Sequence, residues 1–190
     1  MHRKKLDRIV IVDVEATCWE GPPPPDEENE IIEIGVCLLD LGDGERLDKT
    51  SILVRPERSR VSAFCTSLTA LTQEQVDGGT SFAEACQTLI DRFDAQQRLW
   101  ASYGDYDRQM FERQCRERGS VYPFGRGHLN VKSLLAVAGG FRREVGLAGA
   151  MERLGMPLEG THHRGADDAW NIAAVLWRII HAARAGLPSS

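Results

Sequence analysis

RIVIVDVEATC, residues 8–18, decides how this chain folds. From Arg8 to Val14 it is rich in β-branched residues, the kind that fill the middle of a sheet. Side chains alternate along a strand, so Ile9, Ile11, Asp13 and Glu15 share one face, and Val10, Val12 and Val14 share the other. Both carboxylates therefore leave the strand at its C-terminal end, where sheet-and-helix proteins hold ligands. Two like charges this close repel, and loss of water adds to the cost. A hard divalent cation reverses the sign of that interaction, because ions such as Mg²⁺ choose carboxylate oxygens.

Working outward, GPPPPDEENE (21–30) holds four prolines and then acids. Proline removes backbone donors, so this stretch reads as a stiff surface loop, with a polyproline ligand for a partner as the alternative. IIEIGVCLLDL (31–41) and KTSILVRP (49–56) read as a second and third strand joined by a GDG turn. SFAEACQTLIDRF (81–93) is a helix with a Ser81/Glu84 capping box and an apolar stripe of Phe82, Ala85, Cys86, Leu89, Ile90 and Phe93. RLWASY (98–103) is a fourth strand, DRQMFERQCRER (107–118) a helix, and HLNVKSLLAVA (128–138) a short strand running into a helix. LAGAMERLGM (147–156) is a further helix, with Gly155 and Pro157 at its end, and DDAWNIAAVLWRIIHAAR (167–184) is the last and longest. Strands first, then strands alternating with helices, give an α/β fold with a mixed sheet flanked by helices.

Helix phase selects further acids. Counting from Asp107 gives Met110, Phe111, Gln114 and Cys115, a mostly apolar stripe, whereas Asp105 leads to Arg108, Gln109, Glu112 and Arg113. Asp107 thus starts the buried face, and Asp105 caps the helix or faces water. Asp168 leads to Ile172, Val175, Leu176 and Ile179, so it too lies on the packing face, while Asp167 suits a helix N-terminus in water. Four carboxylates, Asp13, Glu15, Asp107 and Asp168, are then directed inward, which is expensive without a counter-charge. Two Mg²⁺ or Mn²⁺ ions about 4 Å apart would neutralise them in the arrangement that hydrolyses phosphodiesters. His163, one short loop before Asp168, is placed to take the proton from the attacking water.

The totals bound the rest. The 190 residues carry 23 basic and 28 acidic side chains, a formal charge of −5. That length suits one domain over residues 1–190, with a core of about 8–182 between short tails. No run approaches the ~20 apolar residues of a membrane span. MHRKKLD at the start reads as a solvated tail with no signal peptide. Five scattered cysteines, odd in number and never spaced C-x-x-C, argue against a disulfide framework or structural zinc and suit a reducing cytoplasm. An acidic total exerts no long-range pull on nucleic acid. Between Val121 and Gly165, however, six Lys/Arg (Arg126, Lys132, Arg142, Arg143, Arg153, Arg164) meet three acids, which reads as either a phosphate-facing patch or a mixed solvated surface.

The order D-x-E, then a strand-to-helix YD, then H-x-x-x-x-D resembles the DEDDh branch of the DnaQ-like 3′–5′ exonucleases. DVEATC, EIIEIG, VRPE, FCTSLTALTQEQVD, GDYD and LGMPLEGTHHRGADDAWNIA are similar to the histone-mRNA and enhanced-RNAi exonucleases and their bacterial KapD-like relatives. The resemblance implies a ribonuclease-H-like fold with a five-stranded mixed sheet. It implies Asp13, Glu15, Asp107 and Asp168 as ligands of two divalent ions, Mg²⁺ or Mn²⁺, and His163 as general base. It also implies Thr17 near the terminal ribose, Phe64 against the terminal nucleoside, and Tyr106 as a stacking aromatic. Stacking tolerates any base, which suits an enzyme that removes each nucleotide in turn. His162 and Arg164, beside the motif histidine, add donors for a phosphate. Eukaryotic relatives often carry an extra nucleic-acid-binding module ahead of the nuclease, and only seven residues precede the first strand here. The expectation is a metal-dependent 3′–5′ exonuclease acting on single-stranded 3′ ends, RNA before DNA. A DNA trimming or proofreading exonuclease, a dinucleotide phosphodiesterase and a non-cutting metal-stabilised binding module are the alternatives.

Overall fold

A computed structural model describes residues 5–187. β1 (Lys5–Ala16) is the middle of a five-stranded sheet ordered β3-β2-β1-β4-β5. β2 (Ile31–Asp40) and β3 (Arg46–Leu53) complete an antiparallel meander with β1. On the other side β4 (Arg98–Ser102) and β5 (His128–Asn130) run parallel to β1. The sheet is therefore mixed, as its sequence order implied.

The alternation read from β1 is what divides the core. Val10, Val12 and Val14 pack against α3 (Phe82–Phe93) and α4 (Tyr106–Arg118), through Phe82, Leu89, Phe93, Met110 and Phe111. Ile9 and Ile11 pack on the opposite face against α7 (Gly165–Ala185), with Ile172, Val175 and Leu176 among the buried contacts. α5 (Val131–Ala138) and α6 (Leu147–Arg153) complete that layer. The Ser81/Glu84 capping box at the start of α3 forms in both directions.

Several boundaries differ from the sequence reading. Lys5–Asp7 are strand, not tail: Lys5 N–H donates to the Gln97 carbonyl at 3.0 Å, and the Asp7 carbonyl accepts from Leu41 at 2.8 Å. Residues 1–4 of that tail lie outside the described residues. β3 begins and ends earlier than 49–56, because Val54 leaves the ladder for a bridge to Thr80. α7 begins at Gly165, two residues before the expected start. Two short helices, α1 (Ala63–Thr69) and α2 (Gln73–Asp77), were not foreseen. Their signals were present as hydroxyl caps: Ser62 accepts from Cys65 N–H, and Thr72 forms a capping box with Gln75.

One close approach fixes how α7 meets the sheet. A Cβ built on Gly35 of β2 would sit 1.8 Å from the Gly165 carbonyl carbon. No side chain fits there, so the first turn of α7 lies backbone to backbone on β2. Gly35 is the cross-strand partner of Asp13, so this contact delivers Asp168 to the carboxylates of β1. Gly35→Ala is expected to force strand and helix apart and to destabilise the fold by about 3 kcal/mol or more. For a chain of this size that is a melting-point fall of roughly 6–12 °C. A thermal melt unchanged from the parent would mean that the backbones do not touch.

Candidate active site

The C-terminal end of β1 carries Asp13 and Glu15, the first turn of α7 carries Asp168, and the first turn of α4 carries Asp107. Oxygen atoms of Asp13, Glu15 and Asp168 lie within 4.8 Å of one another. Asp107 joins from the other face, its Oδ1 accepting the Val14 N–H at 2.9 Å. Glu15, Asp107 and Asp168 are 8%, 4% and 3% exposed, so these charges sit almost out of water. They line a cleft of about 310 Å³ with Tyr106, His162 and His163. Asp105 takes the N-cap position of α4 without capping it, and binds Arg108 and Asn130 outside the cleft.

The electrostatics follow from burial and crowding. Burial, then Asp107, Glu15, Asp168 and Glu33, push Asp13 well above the usual carboxylate range. Burial first, then Asp168, Glu33 and Asp107, raise Glu15 to about 8, against a smaller opposing pull from Arg164. Burial raises Asp107 to about 6, held down by hydrogen bonds from the Val14 N–H and the Ser102 hydroxyl.

A fifth carboxylate escaped the sequence reading. Glu33 is fully buried, lies across the ladder from Glu15, and accepts from the Gly165 N–H at 3.0 Å. The Arg164 guanidinium binds it at 3.2 and 3.4 Å, so this arginine is committed to Glu33. A single glutamate inside the apolar run IIEIGVCLL was the available signal.

The histidines stand side by side. His162 Nδ1 lies 3.0 and 3.1 Å from the two Asp168 oxygens, and its ring stacks on His163 at 4.0 Å. The His163 backbone, in the left-handed region at φ +63°, donates its N–H to Asp168 Oδ2 at 2.9 Å. Burial first, then the neighbouring His162, lower the His163 pKa, and Asp168 opposes them. The loop before them is pinned to α7. Asn171, 1% exposed, accepts the Glu159 N–H and donates to the Glu159 and Asp167 carbonyls. Asp167 accepts the Thr161 N–H at 2.8 Å and pairs with Lys49. Gly160 (φ +79°) lies directly against the Asp167 carboxylate, where a side chain has no room.

The remaining sequence expectations divide. Phe64 and Tyr106 are 40% and 52% exposed, so neither is a core residue. Tyr106 borders the cleft. Thr17 is fully buried beside the cleft strand, and its hydroxyl donates to the Glu28 carbonyl and accepts from the Glu30 N–H. These bonds tie β1 to the loop before β2.

The donor set fits hard divalent cations. It offers carboxylate oxygens from three elements, and among the described residues no lysine or arginine pairs with Asp13, Glu15, Asp107 or Asp168. A ribonuclease-H-like mixed sheet with this set of acids, two at the end of β1 and one in the first turn of each of α4 and α7, defines a DEDDh-type nuclease. The exonuclease family model (RNase_T) matches residues 10–176, and the chain belongs to that family. It is 36% identical over 188 residues to 3′-5′ exoribonuclease 1 of Homo sapiens, covering 92% of this chain and 52% of that protein. The chain thus spans about half the length of the curated relatives it matches first. It superposes on the nuclease domain of 3′hExo, a DEDDh family member bound to rAMP, with a TM-score of 0.76 and 31% identity over 95% of this chain and 93% of that one. Against a 3′-exonuclease in a structure of 3′-end-specific recognition of histone mRNA stem-loop, the TM-score is 0.81 with 32% identity, over 96% of this chain and 66% of that one. DEDDh exonucleases normally use divalent metals. Among the described residues no helix is long and apolar enough to cross a membrane.

Crowded carboxylates set a pH dependence. Glu15 titrates at 4.5 when unperturbed and at about 8 in the fold. Between those values the folded state holds a proton that the unfolded state has lost, so stability falls as pH rises. In EDTA the melting temperature is expected to drop steadily from pH 5 to 8, by up to about 1.4 kcal/mol of stability per pH unit and carboxylate. Millimolar Mg²⁺ or Mn²⁺ should flatten that slope by binding the ionised form. Asp13→Asn should raise the EDTA melting temperature at pH 8 and weaken the metal response. A melting curve indifferent to both pH and metal would show that the acids do not repel one another.

Proposed function

We propose that this chain is a metal-dependent 3′–5′ exonuclease, acting as a single domain, that hydrolyses the terminal phosphodiester of single-stranded RNA. The observation that supports it best is the set of inward carboxylates, Asp13, Glu15, Asp107 and Asp168, with no lysine or arginine partner among the described residues. In this reading those four hold two Mg²⁺ or Mn²⁺ ions. When bound, such ions offset the carboxylate charge, acidify water and stabilise a leaving oxygen.

The chain's own groups supply the rest. His163 stands beside Asp168 and takes the proton from the attacking water as its oxygen bonds to phosphorus. The P–O3′ bond to the preceding nucleotide breaks, releasing a nucleoside 5′-monophosphate, and the expelled O3′ takes a proton from water to become the new 3′-hydroxyl. His162 Nδ1 steadies Asp168, while its other ring nitrogen is available to a phosphate oxygen. Arg164, held by Glu33, contributes positive charge beside Glu15. Tyr106 and Phe64 offer exposed rings on which any terminal base can stack. RNA is favoured over DNA because the chain resembles proteins named as exoribonucleases over 92% of its length. Free cysteines throughout suit a reducing compartment, and the cytoplasm is the inferred site of action.

Matched 5′-labelled RNA and DNA oligomers test this directly. A ladder shortening from the 3′ end in Mg²⁺ or Mn²⁺, abolished by EDTA and by Asp13→Ala, is the expected result, with RNA cut faster. Binding without shortening in either metal would replace the enzyme by a binding module. His163→Ala is expected to lower kcat by about 10²–10⁴-fold. Activity should rise with pH as His163 loses its proton, with a midpoint below the unperturbed histidine value of 6.5 because burial lowers this pKa. A rate unchanged from pH 5 to 8 in the parent would remove His163 from the role of base.

A further inference from the structure

The segment 139–146 joins α5 to α6 along one rim of the cleft. It turns through Gly140 (φ +64°) and ends at Gly146, which precedes α6 and lines the cleft with Leu147, beside His162 and His163. Two contacts fix it to the body of the fold. The Phe141 N–H donates to the Ala136 carbonyl at 2.8 Å, and the Tyr103 hydroxyl donates to the Val145 carbonyl at 2.9 Å. Phe141 and Val145 also pack into the core under α7. Between these anchors stand Arg142 and Arg143, both exposed.

Most of the other cations in this part of the chain are engaged. Lys132 faces Glu144 at 3.8 Å, the Arg153 guanidinium lies 4.9 Å over the Phe141 ring, and Arg164 is bound to Glu33. Arg126 lines a separate cavity beside Trp100 and His128. Arg142 and Arg143 pair with no carboxylate among the described residues. The even choice the sequence left, between a phosphate-facing patch and a mixed surface, thus narrows to two free guanidiniums on a fixed rim. Gly146 is three residues from Arg143, at most about 11 Å of chain. The loop on the other side of the sheet carries Glu20, Asp26, Glu27 and Glu28 and is tied to α4 through Arg113. A polyanion is repelled there and attracted over segment 139–146.

We propose that Arg142 and Arg143 bind backbone phosphates of the single strand on the 5′ side of the scissile bond; this rests on the exonuclease reading. Guanidiniums grip phosphate oxygens in pairs and carry no base preference, as a trimming enzyme requires. They supply the local attraction that a chain of net charge −5 otherwise lacks.

The test compares the parent with Arg142→Ala/Arg143→Ala on a long single-stranded RNA and on a dinucleotide, in Mg²⁺ or Mn²⁺ over a range of salt. For the long RNA, KM is expected to rise about tenfold at 0.1 M salt, with kcat unchanged. The dependence of log kcat/KM on log salt should become shallower by about 1.4, since each single-strand phosphate that a guanidinium neutralises adds about 0.7 to the slope. Dinucleotide cleavage and the melting temperature should not move, and Arg142→Lys/Arg143→Lys should keep KM and the salt slope close to those of the parent. An unchanged KM and salt slope on the long RNA overturns the proposal, and so does an equal loss on the dinucleotide. A parent that cuts neither substrate overturns the exonuclease reading itself, and this one with it.

Discussion

Mutual repulsion of carboxylates is the constraint around which the molecule is arranged. Asp13, Glu15, Asp107, Asp168 and Glu33 meet in a space nearly closed to water. Left alone they would separate, since like charges in a poorly solvated site cost several kcal/mol. The fold holds them in place mechanically. β1 is flanked by partners on both edges and covered on both faces, so Asp13 and Glu15 cannot swing away. Asp107 is tied to the Val14 backbone, and Asp168 is set by the contact of Gly165 with Gly35. Packing, and not any local attraction among the acids, therefore sets the separation of these charges.

Glu33 shows how that charge is partly managed by the protein itself. Its oxygens accept the first N–H of α7, at the positive end of the helix, and a guanidinium from the same turn. This separates it from its neighbours: Glu33 is neutralised from within, whereas Asp13 and Glu15 face the cleft unpaired. The same turn thus carries one acid directed to the cleft, Asp168, and one base directed away from it, Arg164. A substitution at Arg164 would unpair a buried carboxylate next to Glu15 and so disturb the site itself.

How much of this was legible follows from the range of each interaction. Period-two alternation placed Asp13 and Glu15 on one face, and helix phase chose Asp107 over Asp105 and Asp168 over Asp167, because those choices depend on residues within two turns. Glu33 was missed because its partners, Arg164 and Gly165, are more than 130 residues away, and its one local signal, the apolar run around it, does not say what would neutralise it. The burial of Thr17 was hidden for the same reason: the atoms bonded to its hydroxyl belong to a loop beginning beyond four prolines. α1 and α2 are different. Their capping residues were readable, but their short length gave no periodicity to confirm them.

The histidine loop depends on the same helix. His163 takes a left-handed backbone conformation that costs on the order of 1 kcal/mol for a side chain other than glycine. It is kept there by bonds that converge on α7: Asp168 holds its N–H, Asp167 holds Thr161, and Asn171 holds Glu159 from both sides. Lys49 and Arg46 of β3 then fix Asp167 and Glu159 from outside. One helical turn therefore positions a metal-type acid and the candidate base together, and the edge strand braces both. Any displacement of α7 from Gly35 moves acid and base as a unit, so their mutual geometry is less sensitive to it than their joint distance from Asp13 and Glu15.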